Sequence, residues 1–212
     1  MTTAMRTGIA LGLLGSLLGC MCTPTAGPDG WIELFDGQSL ACWKVTDFAD
    51  HGEVRVEKGA LVLKPGTPFS GVTLDGAAFP TSDYEIELRG AKIDGDDFFC
   101  ALTFPIGASH CTLVLGGWGG RLVGLSSLDE MDASENPTTE FMDFEKGRFY
   151  DVRIRVTTKH ITAWIGDKKI IDQDIREHAV SVRWEVEPSR PLGIASFETE
   201  AAYTRIRYRS VH

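Results

Sequence analysis

The sequence predicts an all-β protein in which two antiparallel sheets pack as a β-sandwich. Apolar and polar residues alternate with a period of two along much of the chain, and no long window has the period of a helix. Turns rich in Gly, Pro and Asp separate these short segments. Because each half-polar sheet must bury its apolar face, roughly a dozen such strands predict two sheets packed face to face.

The clearest predicted strands carry all their charges on one face. Residues 84–89 read YEIELR, residues 150–156 read YDVRIRV and residues 203–208 read YTRIRY. We expect their apolar residues to face the core and their arginines to lie on a solvated face. Gly166 and Asp167 predict a hairpin turn between strands at 161–165 and 168–171. Further strands are predicted at 53–57, 60–63, 71–74, 98–104 and 110–115.

The N-terminus predicts export and a lipid anchor. Arg6 precedes an apolar run at residues 9–18, which is too short to span a bilayer and is typical of a secretory signal. The run leads into LLGC at residues 17–20, which resembles a bacterial lipobox with Cys20 as the acylated residue; an ordinary signal peptide is the alternative. We expect a lipoprotein signal peptide at 1–19, a tether at 20–30 and one β-sandwich domain at 31–212. The protein would then be anchored to a bacterial envelope membrane, in the periplasm or at the cell surface.

Composition argues against some classes of function. The chain has 212 residues and a net charge of −9, and no basic patch with interleaved aromatics occurs in it, which disfavours nucleic acid as a partner. About 180 residues follow the tether, which is enough for one domain but short for two. The five cysteines lack metal-ligand spacing. Cys100 and Cys111 would face each other if the hairpin were centred between Pro105 and Ile106, whereas a longer loop around Gly107 would offset them. Facing thiols would either pack in the core, which is the more frequent case, or form a disulfide.

Three segments carry a resemblance to a known family. Residues 31–40 read WIELFDGQSL and are followed by Trp43; residues 57–62 read EKGALV; residues 189–194 read SRPLGI. Together they resemble the 3-keto-disaccharide hydrolase family over residues 31–211. The resemblance implies a concanavalin A-like jelly roll and an enzyme that acts on 3-keto-glycosides. The middle of the chain departs from the Asn-Ser-Gly and Glu-x-Gln strands of many relatives, so no catalytic residue is carried over from those strands.

The densest polar chemistry lies between residues 96 and 140. In the strand at 110–115 the alternation places Cys111, Leu113 and Leu115 on one face and His110 and Thr112 on the other. A His on the outer face could act as a general base or bind a sugar hydroxyl, or it could simply cap the preceding turn. Trp118 lies between two glycine pairs and could stack on a pyranose ring or pack over a bend. We predict His110 as the catalytic base and Trp118 and Thr112 as substrate contacts.

The polar loop at 126–140 supplies the remaining predicted site residues. Asp132 would orient His110, and Asn136 and Glu135 would contact the sugar. Arg190 could offset the negative charge of an enolate formed from a 3-keto-glycoside, or it could only mark the entry to a strand. No cofactor is expected; Ca²⁺ is an alternative because the loop is rich in carboxylates, although it lacks EF-hand spacing.

Three functions remain open from the sequence. The first is an enzyme that removes the C2 proton of a 3-keto-glycoside and eliminates the glycosidic oxygen, as the resemblance implies. The second is a non-catalytic, lectin-like carbohydrate-binding module, and the third is a structural envelope lipoprotein. The expected partner is a carbohydrate or glycoside, with the membrane contacted only through the lipid anchor.

Overall fold

The structure is a computed structural model that describes residues 22 and 24–211. The predicted signal peptide and Cys20 lie outside the described residues. The described chain folds into two antiparallel sheets packed face to face, which confirms the predicted sandwich. Every strand predicted from the alternation forms, including the hairpin that turns at Gly166 and Asp167.

Sheet A combines the two ends of the domain with its central hairpins. Its strands run in the order β1-β2-β16-β7-β12-β13-β14, and the β4–β5 hairpin joins through β16. The bounds are β1 Thr25–Ala26, β2 Ile32–Glu33, β4 Val54–Glu57, β5 Ala60–Leu63, β7 Tyr84–Asp94, β12 Phe149–Val156, β13 His160–Ile165, β14 Lys168–Asp174 and β16 Glu200–Ser210.

Sheet B carries the feature that matters for function. Its strands run in the order β11-β10-β9-β8-β15-β6-β3. The bounds are β3 Trp43–Val45, β6 Phe69–Leu74, β8 Cys100–Ile106, β9 Ser109–Gly116, β10 Leu122–Ser126, β11 Glu140–Phe141 and β15 Gly193–Phe197. A helical turn, Gly117–Gly120, follows β9, and a 3₁₀ helix, Trp184–Ser189, precedes β15.

The core lies between the sheets and follows the predicted strand phase. In β9, Cys111, Leu113 and Leu115 are fully buried in the core cluster. Two buried tyrosines also tie the sheets together. The hydroxyl of Tyr84 in sheet A donates to the carbonyl of Pro105 in sheet B at 2.5 Å. The hydroxyl of Tyr203 does the same to the carbonyl of Phe99. These bonds satisfy the phenol groups that burial would otherwise leave unpaired.

One disulfide forms in the described chain, between two cysteines for which the sequence predicted no partner. Cys22 and Cys42 form a disulfide that fixes the start of the domain to the strand edge before β3. Cys100 and Cys111 are buried free thiols. The β8–β9 register sets Cys100 opposite Leu115 rather than opposite Cys111, so the open alternative of a bridge between them is wrong and core packing is right.

The outer face of sheet A is a paired charge network rather than a row of free solvated arginines. Glu85 is fully buried on this face. It accepts hydrogen bonds from Nε of Arg155 and Nε of Arg209, both at 2.8 Å. The alternation correctly placed Arg155 on the outer face, but it predicted neither the part of Arg209 nor the buried carboxylate beneath the two arginines.

Within residues 22 and 24–211, no helix is long and apolar enough to cross a membrane.

Candidate functional site

Two rows of small and hydroxyl residues run across the outer face of sheet B. Residues that face each other in neighbouring strands lie side by side, so the register defines each row. One row contains only small or medium residues: Gly124, Val114, Ala101, Ala195 and Gly71. The adjacent row carries hydroxyl groups and one glycine: Ser126, Thr112, Thr103, Gly193 and Thr73.

These short side chains leave room for a cavity above the sheet. The cavity has a volume of about 300 Å³, and its floor is formed by Ala101, Thr112, Val114 and Ser126. That volume is at the lower end of the range for small-molecule sites in proteins, which are mostly apolar with a few polar groups. The cavity is therefore of a size to hold one small ligand or one sugar unit.

One side of the cavity is an aromatic wall. Phe69, Phe98, Phe197 and Trp118 form it. The phenylalanine rings hold one another in place: Phe69 meets Phe197 edge-on with centroids 5.2 Å apart, and Phe98 lies 5.6 Å from Phe197. Because these rings are packed against each other, the wall is a fixed apolar surface.

Trp118 reaches the cavity from a strained position in the helical turn. Its backbone has φ 47° and ψ 57°, in the left-handed region that costs energy for any residue with a side chain. Nearly half of its side chain, 46%, is exposed beside the cavity. Strain of this kind persists at functional sites where the surrounding structure enforces it. The turn therefore presents a large flat aromatic surface to whatever occupies the cavity.

A second wall of the cavity, the helical wall, is made by the 3₁₀ helix and the residue before it. Arg183, Glu185 and Val186 line the cavity from this side. The helix lies directly on the sheet at Gly193, where a Cβ would come within 2.5 Å of the Ser189 carbonyl oxygen. Only glycine permits this close approach. The small residue at 193 thus sets how near the helical wall lies to the floor.

Arg183 is the centre of a charged cluster on the helical wall. Nη1 donates to Oδ2 of Asp132 at 2.7 Å, and Nη2 donates to Oε1 of Glu185 at 2.6 Å. Nε also donates to Oε2 of Glu185 at 3.2 Å. A guanidinium has five N–H groups, so about two remain free for a ligand. The hydrogen bonds from Arg183 hold the pKa of Glu185 below its ordinary value, and Glu185 is consequently a poor base.

Asp97 is the carboxylate on the aromatic side of the cavity. Its Oδ1 accepts a hydrogen bond from the Phe98 backbone N–H at 2.7 Å. Its Oδ2 has only a long contact, 3.4 Å, from the Gly119 N–H in the Trp118 turn. Oδ2 thus keeps most of its acceptor capacity. Of the two carboxylates that line the cavity, Asp97 is the one not bound to a cation.

The structure brings some of the predicted site residues together and separates others. Trp118 and Thr112 line the cavity. Asp132 does not line it but pairs with Arg183, which does. The other predicted residues do not line it: His110, Asn136, Glu135 and Arg190.

His110 lies on the outer face, as its strand phase predicted, but one pair of residues beyond the cavity floor. It faces Pro105 in the β8–β9 register. Desolvation, together with the nearby charge of Arg190, lowers the pKa of His110, so its imidazole is neutral near pH 7. Asp132 caps the Ser134 backbone N–H at 2.8 Å and bonds Arg183. The predicted pairing of Asp132 with His110 is therefore replaced by a pairing of Asp132 with Arg183.

Asn136 has a structural role in its loop instead of the predicted ligand contact. Its Nδ2 donates to the carbonyls of Leu125 at 2.7 Å and Asp132 at 2.8 Å. Its Oδ1 accepts from the N–H and hydroxyl of Thr138 at 2.9 and 2.6 Å. With these bonds the buried amide has no capacity left for a sugar. Glu135 is exposed on the same loop, away from the cavity lining.

Arg190 pairs with Glu187 at 2.5 Å, just after the 3₁₀ helix, instead of lining the cavity.

Three residues that line the cavity were not predicted from the sequence: Ser126, Arg183 and Glu185. Ser126 could have been found, because it is the last residue of β10 and faces Thr112 in β9. Arg183 and Glu185 gave no local signal beyond alternating charge around Trp184.

The loop at 126–140 does not assemble a metal site. Among the described residues, no three His, Cys, Asp or Glu side chains come together in a way that could hold a metal ion. Asp129 is instead bound to Nδ1 of His178 at 2.7 Å and Asp132 to Arg183. Two of the loop's carboxylates, Asp129 and Asp132, thus bond separate partners.

The two antiparallel sheets place this protein among the concanavalin A-like jelly-roll sandwiches, the class seen in its structural neighbours. Residues 30–211 match the family described as the 3-keto-alpha-glucoside-1,2-lyase-like domain, and the chain belongs to that family. No curated protein sequence matches the chain.

Three solved structures share the fold at low sequence identity. A protein of Parabacteroides distasonis ATCC 8503, assigned as a glycosyl hydrolase, is 12% identical, with a TM-score of 0.56 over 87% of this chain and 95% of that one. The carbohydrate-binding module CBM66 of Bacillus subtilis is 13% identical, with a TM-score of 0.52 over 80% and 96%. The Crh5 transglycosylase, solved with NAG, is 12% identical, with a TM-score of 0.58 over 90% and 88%. At these identities the similarity establishes the fold.

Proposed function

We propose that the protein cleaves 3-keto-glycosides by β-elimination in the cavity on sheet B. The observation that carries this proposal is the composition of the cavity: a flat exposed Trp118, one free carboxylate at Asp97 and a guanidinium at Arg183 line the same space. Membership in the 3-keto-alpha-glucoside-1,2-lyase-like family supports the substrate class.

The chemistry needs one base and one group that stabilises negative charge. The C3 ketone acidifies the hydrogen at C2, and the Asp97 carboxylate removes it as a proton. The electron pair left at C2 forms an enolate with its charge on O3, beside the free N–H groups of Arg183. Collapse of the enolate restores the C3 ketone, forms the C1–C2 double bond and breaks the C1–O bond. The aglycone leaves as an alcohol after taking up a proton, and water can then add across the new double bond.

The arrangement favours this route over ordinary glycoside hydrolysis. Most glycosidases place two independent carboxylic groups on either side of the scissile bond. Here Glu185 is held as an anion by Arg183, and its lowered pKa makes it unsuitable as a proton donor. The cavity thus supplies one base and one cation, which matches proton abstraction next to a ketone.

The base in this proposal is Asp97 rather than the predicted His110. His110 does not line the cavity, whereas Asp97 does. Trp118 would pack against the apolar face of the sugar ring, and Asp132 would hold Arg183 in place through their 2.7 Å hydrogen bond.

Turnover of 3-keto-trehalose and methyl 3-keto-α-glucoside by the purified protein tests the proposal. Loss of a general base typically lowers the rate by about 10²–10⁴-fold, so we expect Asp97→Asn to lower kcat by at least about 100-fold. Asp96→Asn is the matched control, because Asp96 is its neighbour in sequence, is almost fully exposed and pairs through its carboxylate with Lys146.

His110→Ala separates the two assignments of the base. We expect it to keep activity within a few-fold of wild type. Full activity in Asp97→Asn together with lost activity in His110→Ala would overturn the assignment to Asp97. Binding of these sugars without any turnover would instead identify a carbohydrate-binding module.

We further propose that the protein is exported and lipid-anchored at Cys20. The Cys22–Cys42 disulfide supports export, since disulfides persist in oxidising compartments such as the bacterial periplasm. Mass spectrometry of the N-terminal peptide from the native host tests this proposal: an acylated Cys20 is expected. An unmodified N-terminus that retains residues 1–19 would refute it.

A further inference from the structure

Ser126 is a buried hydroxyl without a partner at the bottom of the cavity. Its side chain is 2% exposed, and its Oγ has no hydrogen-bond partner in the structure. It is also one of the residues that line the cavity. Buried hydroxyls in proteins are nearly always paired, because an unpaired one loses its hydration without compensation. The protein itself therefore leaves the hydrogen-bonding capacity of this hydroxyl unused, and a ligand in the cavity could use it.

The two other unpaired buried hydroxyls show what is particular about Ser126. They belong to Ser189 and Ser196, and neither residue lines the cavity. Only at Ser126 does an unpaired hydroxyl, among those in the described chain, coincide with space for a ligand. Ser196 is fully buried in β15 and offers a matched control.

A second hydroxyl lies beside Ser126 on the floor. Ser126 and Thr112 face each other in the register of β10 and β9. The hydroxyls of Thr112 and Thr103 are 2.9 Å apart and share one hydrogen bond. When Thr103 is the donor in that bond, the proton of Thr112 is free for a ligand. Two neighbouring donors can thus meet one edge of a polar ring.

The rest of the floor is apolar, so polar recognition is confined to this corner. Ala101 and Val114 cover the remaining floor. A sugar held between the aromatic wall and the helical wall would point one ring edge downward. An oxygen on that edge meets Ser126 in one orientation and apolar carbons in the other.

We propose that Ser126 is a specificity-determining residue that donates a hydrogen bond to one oxygen on the buried edge of a pyranoside ring. This inference rests on the proposed function only in taking a glycoside as the occupant. It selects sugars that carry an oxygen at the buried position, and it sets the orientation of the sugar ring in the cavity.

The test is a thermodynamic cycle in which the Ser126 hydroxyl and single hydroxyl groups of the ligand are removed separately and together. The probe is 1,5-anhydro-3-keto-glucitol, which has no aglycone to eliminate, together with its 2-, 4- and 6-deoxy analogues. Dissociation constants are measured by calorimetry for wild type, Ser126→Ala and Ser196→Ala, and thermal unfolding is followed for each. Loss of one hydrogen bond to a ligand is expected to weaken binding about tenfold, which corresponds to about 1.4 kcal/mol.

We expect Ser126→Ala to bind the probe about tenfold more weakly while its Tm stays equal to wild type or rises. For wild type, one deoxy analogue should bind about tenfold more weakly than the probe. For Ser126→Ala, the same analogue and the probe should bind equally well. Ser196→Ala should bind every ligand as wild type does.

Three results would overturn the inference: wild-type affinity in Ser126→Ala, a lowered Tm with unchanged affinity, or the same deoxy penalties in both proteins. Failure of wild type to bind any probe would overturn it as well. Binding that follows the expected pattern without any elimination from methyl 3-keto-α-glucoside would support Ser126 and refute only the catalytic proposal.

Discussion

The backbone strain at Trp118 gives a prediction that links stability to binding. Trp118 has a left-handed backbone, φ 47°, and lines the cavity. Replacing it by Ala removes the indole but leaves a Cβ in that conformation. Replacing it by Gly removes the indole and the steric penalty together. The difference in stability between the two variants therefore reports the strain, less the extra freedom of glycine in the unfolded chain.

The expected magnitude follows from the cost of a left-handed residue. That cost is about 1–2 kcal/mol for a residue with a side chain. Glycine's extra freedom in the unfolded chain offsets part of it, about 0.4–1 kcal/mol. We expect Trp118→Gly to be more stable than Trp118→Ala by about 0.5–1 kcal/mol. With a urea m-value of about 2 kcal/mol/M, the midpoint of unfolding differs by about 0.25–0.5 M.

The control is the same pair of substitutions at Trp184, which is 79% exposed in the 3₁₀ helix and is not among the residues with positive φ. There Gly should be no more stable than Ala. In binding, both Trp118 variants should hold 1,5-anhydro-3-keto-glucitol about fivefold to tenfold more weakly than wild type, because the aromatic surface is lost. Equal stability of the Ala and Gly variants, or undiminished binding in both, would refute the reasoning.

Three further predictions concern stability and reactivity. Burial raises the pKa of Glu85, but hydrogen bonds from Arg209 and Arg155 outweigh it and hold the pKa below its usual value. The stability that the Glu85 carboxylate contributes is therefore fully present above its pKa in the unfolded chain, about 4.3. This stability is lost as the pH falls through the pKa of Glu85 in the folded protein. Glu85→Gln should cost about 2 kcal/mol in urea unfolding at pH 7 and much less at pH 3, and a pH-independent difference would contradict this. Reduction of the Cys22–Cys42 disulfide, whose cysteines are 20 residues apart, should lower the free energy of unfolding by about 3 kcal/mol. A reductant that leaves the Tm of wild type unchanged would contradict this. The variant with both cysteines replaced by Ser is the control. Burial raises the pKa of Cys111 to about 12, so iodoacetamide at pH 8 should label it only in urea, and mass spectrometry showing labelling of the native protein would contradict this.

Local periodicity was sufficient to predict the two-sheet antiparallel sandwich, whereas the concanavalin A-like jelly roll was predicted from the family resemblance. The two-residue alternation in β9 correctly sent Cys111, Leu113 and Leu115 into the core, because one face of the sheet must be apolar. The Cys22–Cys42 disulfide could not be predicted in this way. Its partners lie in a short tether and at a strand edge, and only the closed sandwich brings them together.

The candidate site could be predicted only where a local pattern reaches the cavity. Thr112 follows from strand phase and Trp118 from its flanking glycines, and both line the cavity. Arg183 comes from a segment that crosses sheet B and lies about 60 residues after Trp118 in the chain. Local periodicity does not predict where such a distant segment crosses the sheet. For Asn136, residue type cannot distinguish an amide that binds a ligand from one that bonds its own loop. For His110, the phase was right, and its position along the strand decided against a place in the cavity.

Exchange of the C2 hydrogen of 1,5-anhydro-3-keto-glucitol in D₂O tests the central claim most directly. This ligand can lose its C2 proton but has no aglycone to expel, so proton NMR follows proton abstraction without cleavage of a glycosidic bond. Wild type and Asp96→Asn should exchange the C2 hydrogen well above the rate in buffer. Asp97→Asn, although still binding the ligand, should be slower by at least about 100-fold. Exchange at the buffer rate by wild-type protein saturated with the ligand would contradict proton abstraction in this cavity.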